Sequence, residues 1–324
     1  MSTDYELVAR QFIRALRGRR SQPAFSRRLG FSSNVIYMWE AGRTFPTAAG
    51  ALQAAQKAGV KLQAALAQFY RVEPTWLAET RDLTTPAFVS LLLQDLLADQ
   101  SIVKLAARVG RSRFATARWL HGDAEPRLPD FLRLIEGTSM RLLDFIAAFV
   151  DPDQLPILRA DWQRLETSRK AAYEAPWTHG VLRVLELRQY RELPQHEPGA
   201  IASLLGIDRD EETRCLRLLA DTGQIRMQDG HWVPAEIITV DTRRDPAAAV
   251  ALRQFWTRLA LERVTQQSDD VFSFNLGTLA ERDLERVRAL HRRYFNELRA
   301  IIVESEPAET LLLANIQLIR LAGR

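Results

Sequence analysis

Between Ser21 and Pro46 the chain reads SQPAFSRRLGFSSNVIYMWEAGRTFP, which gathers the hydrogen-bonding side chains Gln22, Ser32, Ser33 and Asn34 among Arg27, Arg28 and Arg43. Hydroxyls and amides donate and accept, and guanidinium groups bind oxyanions, so the chemistry on offer is recognition of a polar, anionic surface. Residues for bond making are sparser. His121, His179, His196, His231 and His291 are scattered, none at metal-ligand spacing from another His or Cys. No phosphate-cradling glycine loop or nucleophile elbow occurs. The paired carboxylates Glu211-Glu212 and Asp269-Asp270 fall at helix starts, where a carboxylate suits the helix dipole, and read as solvated caps. Ser273 and Thr278 are explained by strand propensity and turn formation. Cys215, the single cysteine, rules out an intrachain disulfide and reads as a buried structural thiol. Neither enzymatic activity, nor a metal, nor a cofactor is expected.

Two short helices position the polar cluster. The first carries Ala24, Phe25, Ser26 and Leu29 and stops at Gly30, a residue suited to the left-handed conformation of a helix terminus. Ser32 is the natural N-cap of the second helix, which turns Val35, Ile36 and Trp39 inward and leaves Ser33, Asn34, Tyr37 and Met38 outside. Gly42 and Pro46 end it. Such a pair, joined by a short turn, is a helix-turn-helix. A helix over Tyr5 to Leu16 precedes it, and helices over Ala48 to Ala58 and Leu62 to Phe69 complete a five-helix domain across residues 1–72.

The order Gln22, Leu29-Gly30, Ser32, Ile36, Trp39-Glu40, Gly42-Arg43 and Pro46 resembles the Xre/Cro repressor-like DNA-binding domains. The resemblance implies that Ser32, Ser33, Asn34 and Met38 face base edges or nearby backbone of double-stranded DNA, with Tyr37 on the same face, and that Gln22 and Arg43 hold phosphates. Met38 stands where a long polar residue is often found, so contact with a thymine methyl is expected there. The alternative is a bundle of this shape that binds protein, such as an anti-regulator or scaffold.

The chain also matches itself. A shift of 80 residues lays Arg28 on Arg108, Gly30 on Gly110, Ser32 on Ser112, Trp39 on Trp119, Gly42 on Gly122, Pro46 on Pro126 and Leu52 on Leu132, which predicts a second, diverged helix-turn-helix domain over residues 86–150. Its outer face differs. Ser33, Asn34 and Met38 become Arg113, Phe114 and Arg118, while Gln22 and Arg43 become Ile102 and Asp123. Arg111, Ser112, Arg113 and Arg118 are candidate DNA contacts, since arginine commonly pairs with guanine; a dimerisation or packing module that kept the fold is the other reading.

Beyond residue 156, helices over Leu158 to Glu174, Trp177 to Leu187, Ala200 to Gly206 and Asp208 to Leu219 lead to two short strands about the Asp229-Gly230 turn, the order of a winged helix across residues 156–240. The acidic start of the last of these helices, Asp210 to Glu212, favours protein packing over DNA contact. Strands over Ala235 to Val240, Val271 to Leu279 and Thr310 to Leu321, alternating with helices from Pro246 and Glu281, predict a small α/β unit across residues 241–324. Residues 160 to 324 resemble the uncharacterised C-terminal domain that follows Xre-type modules in some bacterial regulators.

Charge supports a polyanionic partner. The net charge is only +4, yet up to Pro46 eight arginines face three carboxylates, so the excess sits in the first domain. There is no signal-peptide core, and no apolar run approaches the roughly 18 residues of a membrane span. The expected protein is mainly α, a bacterial, cytoplasmic transcriptional regulator with tandem helix-turn-helix bundles. Its C-terminal half is expected to mediate homodimerisation or sensing of an unknown small-molecule or protein effector.

Overall fold

The computed structural model describes residues 3–70, 74–98, 100–235, 245–266 and 269–321. The chain is mainly helical with one small two-stranded antiparallel sheet. It divides into two compact units, Met1–Gln163 with Ala280–Val303, and Arg164–Leu279 with Glu304–Arg324.

In the first unit, helices α1 (Tyr5–Arg17), α2 (Gln22–Arg28), α3 (Val35–Glu40), α4 (Ala48–Ala58) and α5 (Leu62–Tyr70) are followed by a connecting helix, α6 (Thr75–Glu79). The plan then repeats as α7 (Pro86–Leu97), α8 (Ile102–Arg108), α9 (Arg113–His121), α10 (Leu128–Ser139) and α11 (Leu142–Phe149). The 80-residue shift places α2 on α8 end for end, and each other helix lands within two or three residues of its counterpart. Turn glycines follow: Gly30 and Gly110 take φ +91° and +61°, and Gly42 and Gly122 take +74° and +83°.

The two copies share one core, running from Val8 on α1 to Leu158 and including Phe12, Phe69, Phe131, Phe145 and Phe149. Their packing is reciprocal. α1 meets α10 as α7 meets α4, while α5 meets α11 and α4 meets α10, equivalent helix against equivalent helix. At the seam Ala48 N donates to Pro126 O at 2.9 Å and Leu128 N donates to Pro46 O at 2.9 Å, a bridge centred on Thr47 and Arg127. Each bond is the other with the copies exchanged.

The second unit begins within α12 (Pro156–Glu174) and continues through α13 (Trp177–Val184), α14 (Arg188–Arg191), α15 (Ala200–Leu205) and α16 (Arg209–Asp221) to strands β1 (Ile225–Gln228) and β2 (His231–Pro234). Asp208 caps α16 by accepting from Glu211 N at 2.7 Å. Asp229 and Gly230 take φ +49° and +80° between the strands, the positive pair that a two-residue hairpin needs. Val181, Val184, Tyr190, Ile201, Cys215, Leu219 and Ile225 form its core. Burial, with Glu211 beside it, pushes the Cys215 thiol up to about 12. His179 is half-buried with its Nε2 enclosed, and desolvation with Arg183 nearby pushes it down to about 4.

Two expectations fail here. Glu212 is not a solvated cap: it is 2% exposed, and its carboxylate accepts from Gly199 N at 3.1 Å and Ala202 N at 2.7 Å at the start of α15. The α/β unit is also not formed among the described residues. Helices α17 (Pro246–Arg263) and α18 (Leu284–Glu304) are present, but Val271 to Leu279 and Thr310 to Leu321 run without strand pairing. Strand propensity reflects packing against a neighbouring strand, and neither segment has one among the described residues: Val271 and Phe274 are 91% and 96% exposed. The strand expected over Ala235 to Val240 lies, after Ala235, outside the described residues. Among the described residues no helix is long and apolar enough to cross a membrane.

Candidate nucleic-acid interface

The polar face of the first copy is held from beneath. α3 ends on α1, where Arg10 Nε donates to Glu40 O at 2.8 Å and Arg17 Nε donates to Glu40 Oε1 at 2.6 Å. Gln22 Nε2 donates to Glu40 Oε2 at 2.7 Å. The side chains of Arg17 and Glu40 are 15% and 10% exposed, so Glu40 ties the starts of α2 and the end of α1 to the end of α3 in a setting screened from water. Gln22, expected as a phosphate holder, has its amide group engaged in this network.

Helix α3 starts at Val35, so Ser32 is not its N-cap as expected; the cap is Asn34, whose Oδ1 accepts from Tyr37 N at 3.3 Å. The cause is a residue on the preceding helix. Ser26, buried at the base of the turn, accepts from Ile36 N at 3.1 Å, with its own proton between Gln22 O at 2.9 Å and Asn34 Oδ1 at 3.2 Å, so Ser26 and Asn34 satisfy free N–H groups at the helix start without Ser32. Ser32, Ser33 and Asn34 are therefore an exposed turn that leads into the helix. Tyr37 is exposed with the Arg43 guanidinium 5.4 Å from its ring centre, and Met38 is half-buried beside them. Arg27 and Arg43 are exposed and have no ion-pair partner among the described residues.

In the second copy the expected cap does form. Ser112 Oγ accepts from Ala115 N at 3.1 Å, and α9 begins at Arg113. Position 106, equivalent to Ser26, is alanine and cannot compete. Arg113 is exposed and has no ion-pair partner among the described residues, while Phe114 is 73% exposed with the Arg118 guanidinium 5.8 Å from its ring centre. Arg111 is different: its Nε donates to Asp130 Oδ1 at 2.7 Å, which ties the guanidinium to the start of α10.

The structure thus brings Ser32, Ser33, Asn34, Tyr37, Met38 and Arg43 onto or beside one exposed ridge, and Ser112, Arg113 and Arg118 onto its counterpart. Sequence reasoning missed the supports Arg10, Arg17, Ser26 and Glu40. A signal for them was present in the repeat: Arg17, Gln22 and Glu40 change together to Leu97, Ile102 and Leu120 at the shift of 80. Such an arrangement of donors, acceptors and unpaired guanidinium groups can neutralise oxyanions and form hydrogen bonds.

Comparison with known proteins reaches the other half of the chain. The model of a family described as a domain of unknown function, DUF4423, matches residues 159–321, beyond both five-helix copies. No curated protein and no solved structure matches. Since that match spans half of the 324 residues, the chain belongs to the DUF4423 family.

Proposed function

We propose that this protein is a sequence-specific transcriptional regulator that reads double-stranded DNA through the ridge formed by Ser32 to Asn34 and helix α3. The observation that carries the reading is a short helix pair presenting small polar side chains flanked by Arg27 and Arg43, both exposed and free of ion pairs among the described residues. The order of residues from Gln22 to Pro46 resembles Xre/Cro helix-turn-helix domains, and the order from α13 to β2 resembles a winged helix. Arginine contacts to phosphate would supply most of the affinity and make it fall with salt, while a few contacts to base edges, worth roughly 1–3 kcal/mol each, would supply specificity. The C-terminal unit would mediate effector sensing, dimerisation, or both. Val271 to Leu279 and Thr310 to Leu321 carry strand-forming sequence that pairs with no strand among the described residues, and their large apolar side chains are exposed.

Anisotropy titration against DNA upstream of its own gene, at two salt concentrations, tests the reading. Tight binding to one segment over scrambled DNA is expected, and equal weak binding to every sequence overturns it. A second reading, an interaction module for protein, draws on Phe114, whose exposed ring resembles the aromatic anchors of protein interfaces. Capture of a protein partner that Phe114→Ala abolishes, with no sequence preference on DNA, would favour that reading.

A further inference from the structure

We propose that the two five-helix copies of one chain act as a covalent pair of reading heads, so that a single chain binds an inverted DNA site made of two different half-sites one helical turn apart. The inference rests on the DNA-binding reading above and adds the form of the site.

Symmetry at the seam carries it. The bonds from Ala48 N to Pro126 O and from Leu128 N to Pro46 O join the same two sequence positions with donor and acceptor copies exchanged. Copies related by translation, as in a direct repeat, would pair different positions and would not return the bond; a two-fold rotation returns it. The whole interface obeys the same exchange, α1 on α10 matching α7 on α4. The axis passes between Thr47 and Arg127, which are themselves equivalent. Heads related by a two-fold rotation match the two-fold symmetry of a duplex, and hence half-sites in inverted order.

Chain length fixes the spacing. α3 ends at Glu40, seven residues before Thr47, and α9 ends at His121, six before Arg127. Seven residues reach at most about 25 Å, and half of either helix adds only a few ångströms more, so the midpoints of α3 and α9 lie no more than roughly 60 Å apart. Half-sites two turns apart would need about 70 Å, whereas one turn needs about 34–36 Å. The half-sites differ because the ridges differ: Ser33, Asn34 and Met38 face one, Arg113 and Phe114 with Arg118 the other. Arg113 is the group suited to guanine, and Arg111, held by Asp130, is not.

Selection of binding sequences from random duplex by the full chain, followed by titration of variants on the selected site, tests the proposal. Two unlike half-sites in inverted order, centred about one turn apart, are expected. Arg113→Ala should weaken the selected site about tenfold or more and remove the base preference of one half-site only, while Asn34→Ser, which keeps a capping oxygen, should act on the other. A single half-site, a direct repeat, a palindrome of two like half-sites, or Arg113→Ala without effect on a site that still binds specifically would overturn this inference and leave the DNA-binding reading standing. Selection of no sequence at all would overturn both.

Discussion

At the end of α3, Arg17 and Gln22 converge on the carboxylate of Glu40; at the equivalent point of the second copy stand Leu97, Ile102 and Leu120, with Leu97 and Leu120 buried in the shared core. The backbone anchor beneath also survives with different chemistry. Arg10 Nε donates to Glu40 O at 2.8 Å, and Ser90 Oγ, its counterpart, donates to Leu120 O at 2.7 Å. A charged cluster in one copy is thus an apolar cluster in the other, and the helix ends in the same place. The comparison teaches that the glutamine at the start of the second helix answers first to its neighbour at the end of the third. Its replacement by Ile102 is a matched exchange inside the bundle, so it says little about whether the second copy has lost a ligand.

The sharpest way to break this comparison is to unbalance the cluster. Glu40→Ala leaves Arg17 and Gln22 without their partner in a partly buried place and should cost about 3–5 kcal/mol in urea unfolding. The triple change Arg17→Leu, Gln22→Ile and Glu40→Leu installs the apolar set of the other copy and should fall within about 1–2 kcal/mol of the parent. If the triple variant is as unstable as the single one, the two clusters are not equivalent.

Acid separates the repeated unit from the rest. His179 lies in the second unit, pushed from 6.5 to about 4 by burial and Arg183, and its Nε2 has no hydrogen-bond partner among the described residues. Its neutral form is favoured on folding, so the unfolded chain takes up the proton first as pH falls. The stability of that unit should be whole above about pH 6.5 and decline towards pH 4 by about 3 kcal/mol. Residues 3–163 contain one histidine, His121, which is exposed. In calorimetry the transition of the second unit should fall as the pH is lowered from 7 to 4, and His179→Leu should flatten that fall.

Charge at the rims compares the copies in binding. Arg43→Ala should lower affinity for all sequences by about 1 kcal/mol and reduce the salt slope by about 1, whereas Asp123→Arg, which gives the second copy the same residue, should raise both. Opposite shifts in a salt titration are the expected result. The smallest effect concerns the caps. Ser112→Ala should destabilise by about 1 kcal/mol and Ser32→Ala by less than about 0.5 kcal/mol, because only Ser112 accepts from its helix. Equal costs in thermal unfolding would contradict the two cap geometries.

Much of the fold was legible in the sequence because its signals are local. Apolar residues at helical spacing mark α1 to α5, Asp229-Gly230 marks the hairpin, and the shift of 80 predicts the second copy. What escaped depends on residues far apart in the chain. Ser32 and Ser112 look alike, and the cap is decided by Ser26 or Ala106, six residues earlier. Gln22 has the type and place of a phosphate ligand until Glu40, 18 residues on, is found against it. Glu212 looks like a surface acid until the start of α15 folds over it. The apolar segments from Val271 and Thr310 have strand propensity, but propensity does not supply a neighbour. A constant offset in sequence also cannot tell translation from rotation, which the seam bonds and the reciprocal helix packing distinguish.

The prolines at that seam have a consequence for how the two copies can change. Pro46 and Pro126 each offer a carbonyl to the other copy and have no N–H to return, so the ladder stops at this single bridge. Joined in one polypeptide, the copies meet at an effective concentration set by their tether, and their pairing does not depend on how many molecules a cell holds. In a pair made from two identical chains every mutation appears twice. Here a mutation falls on one side only, so one ridge can drift while its twin stays fixed.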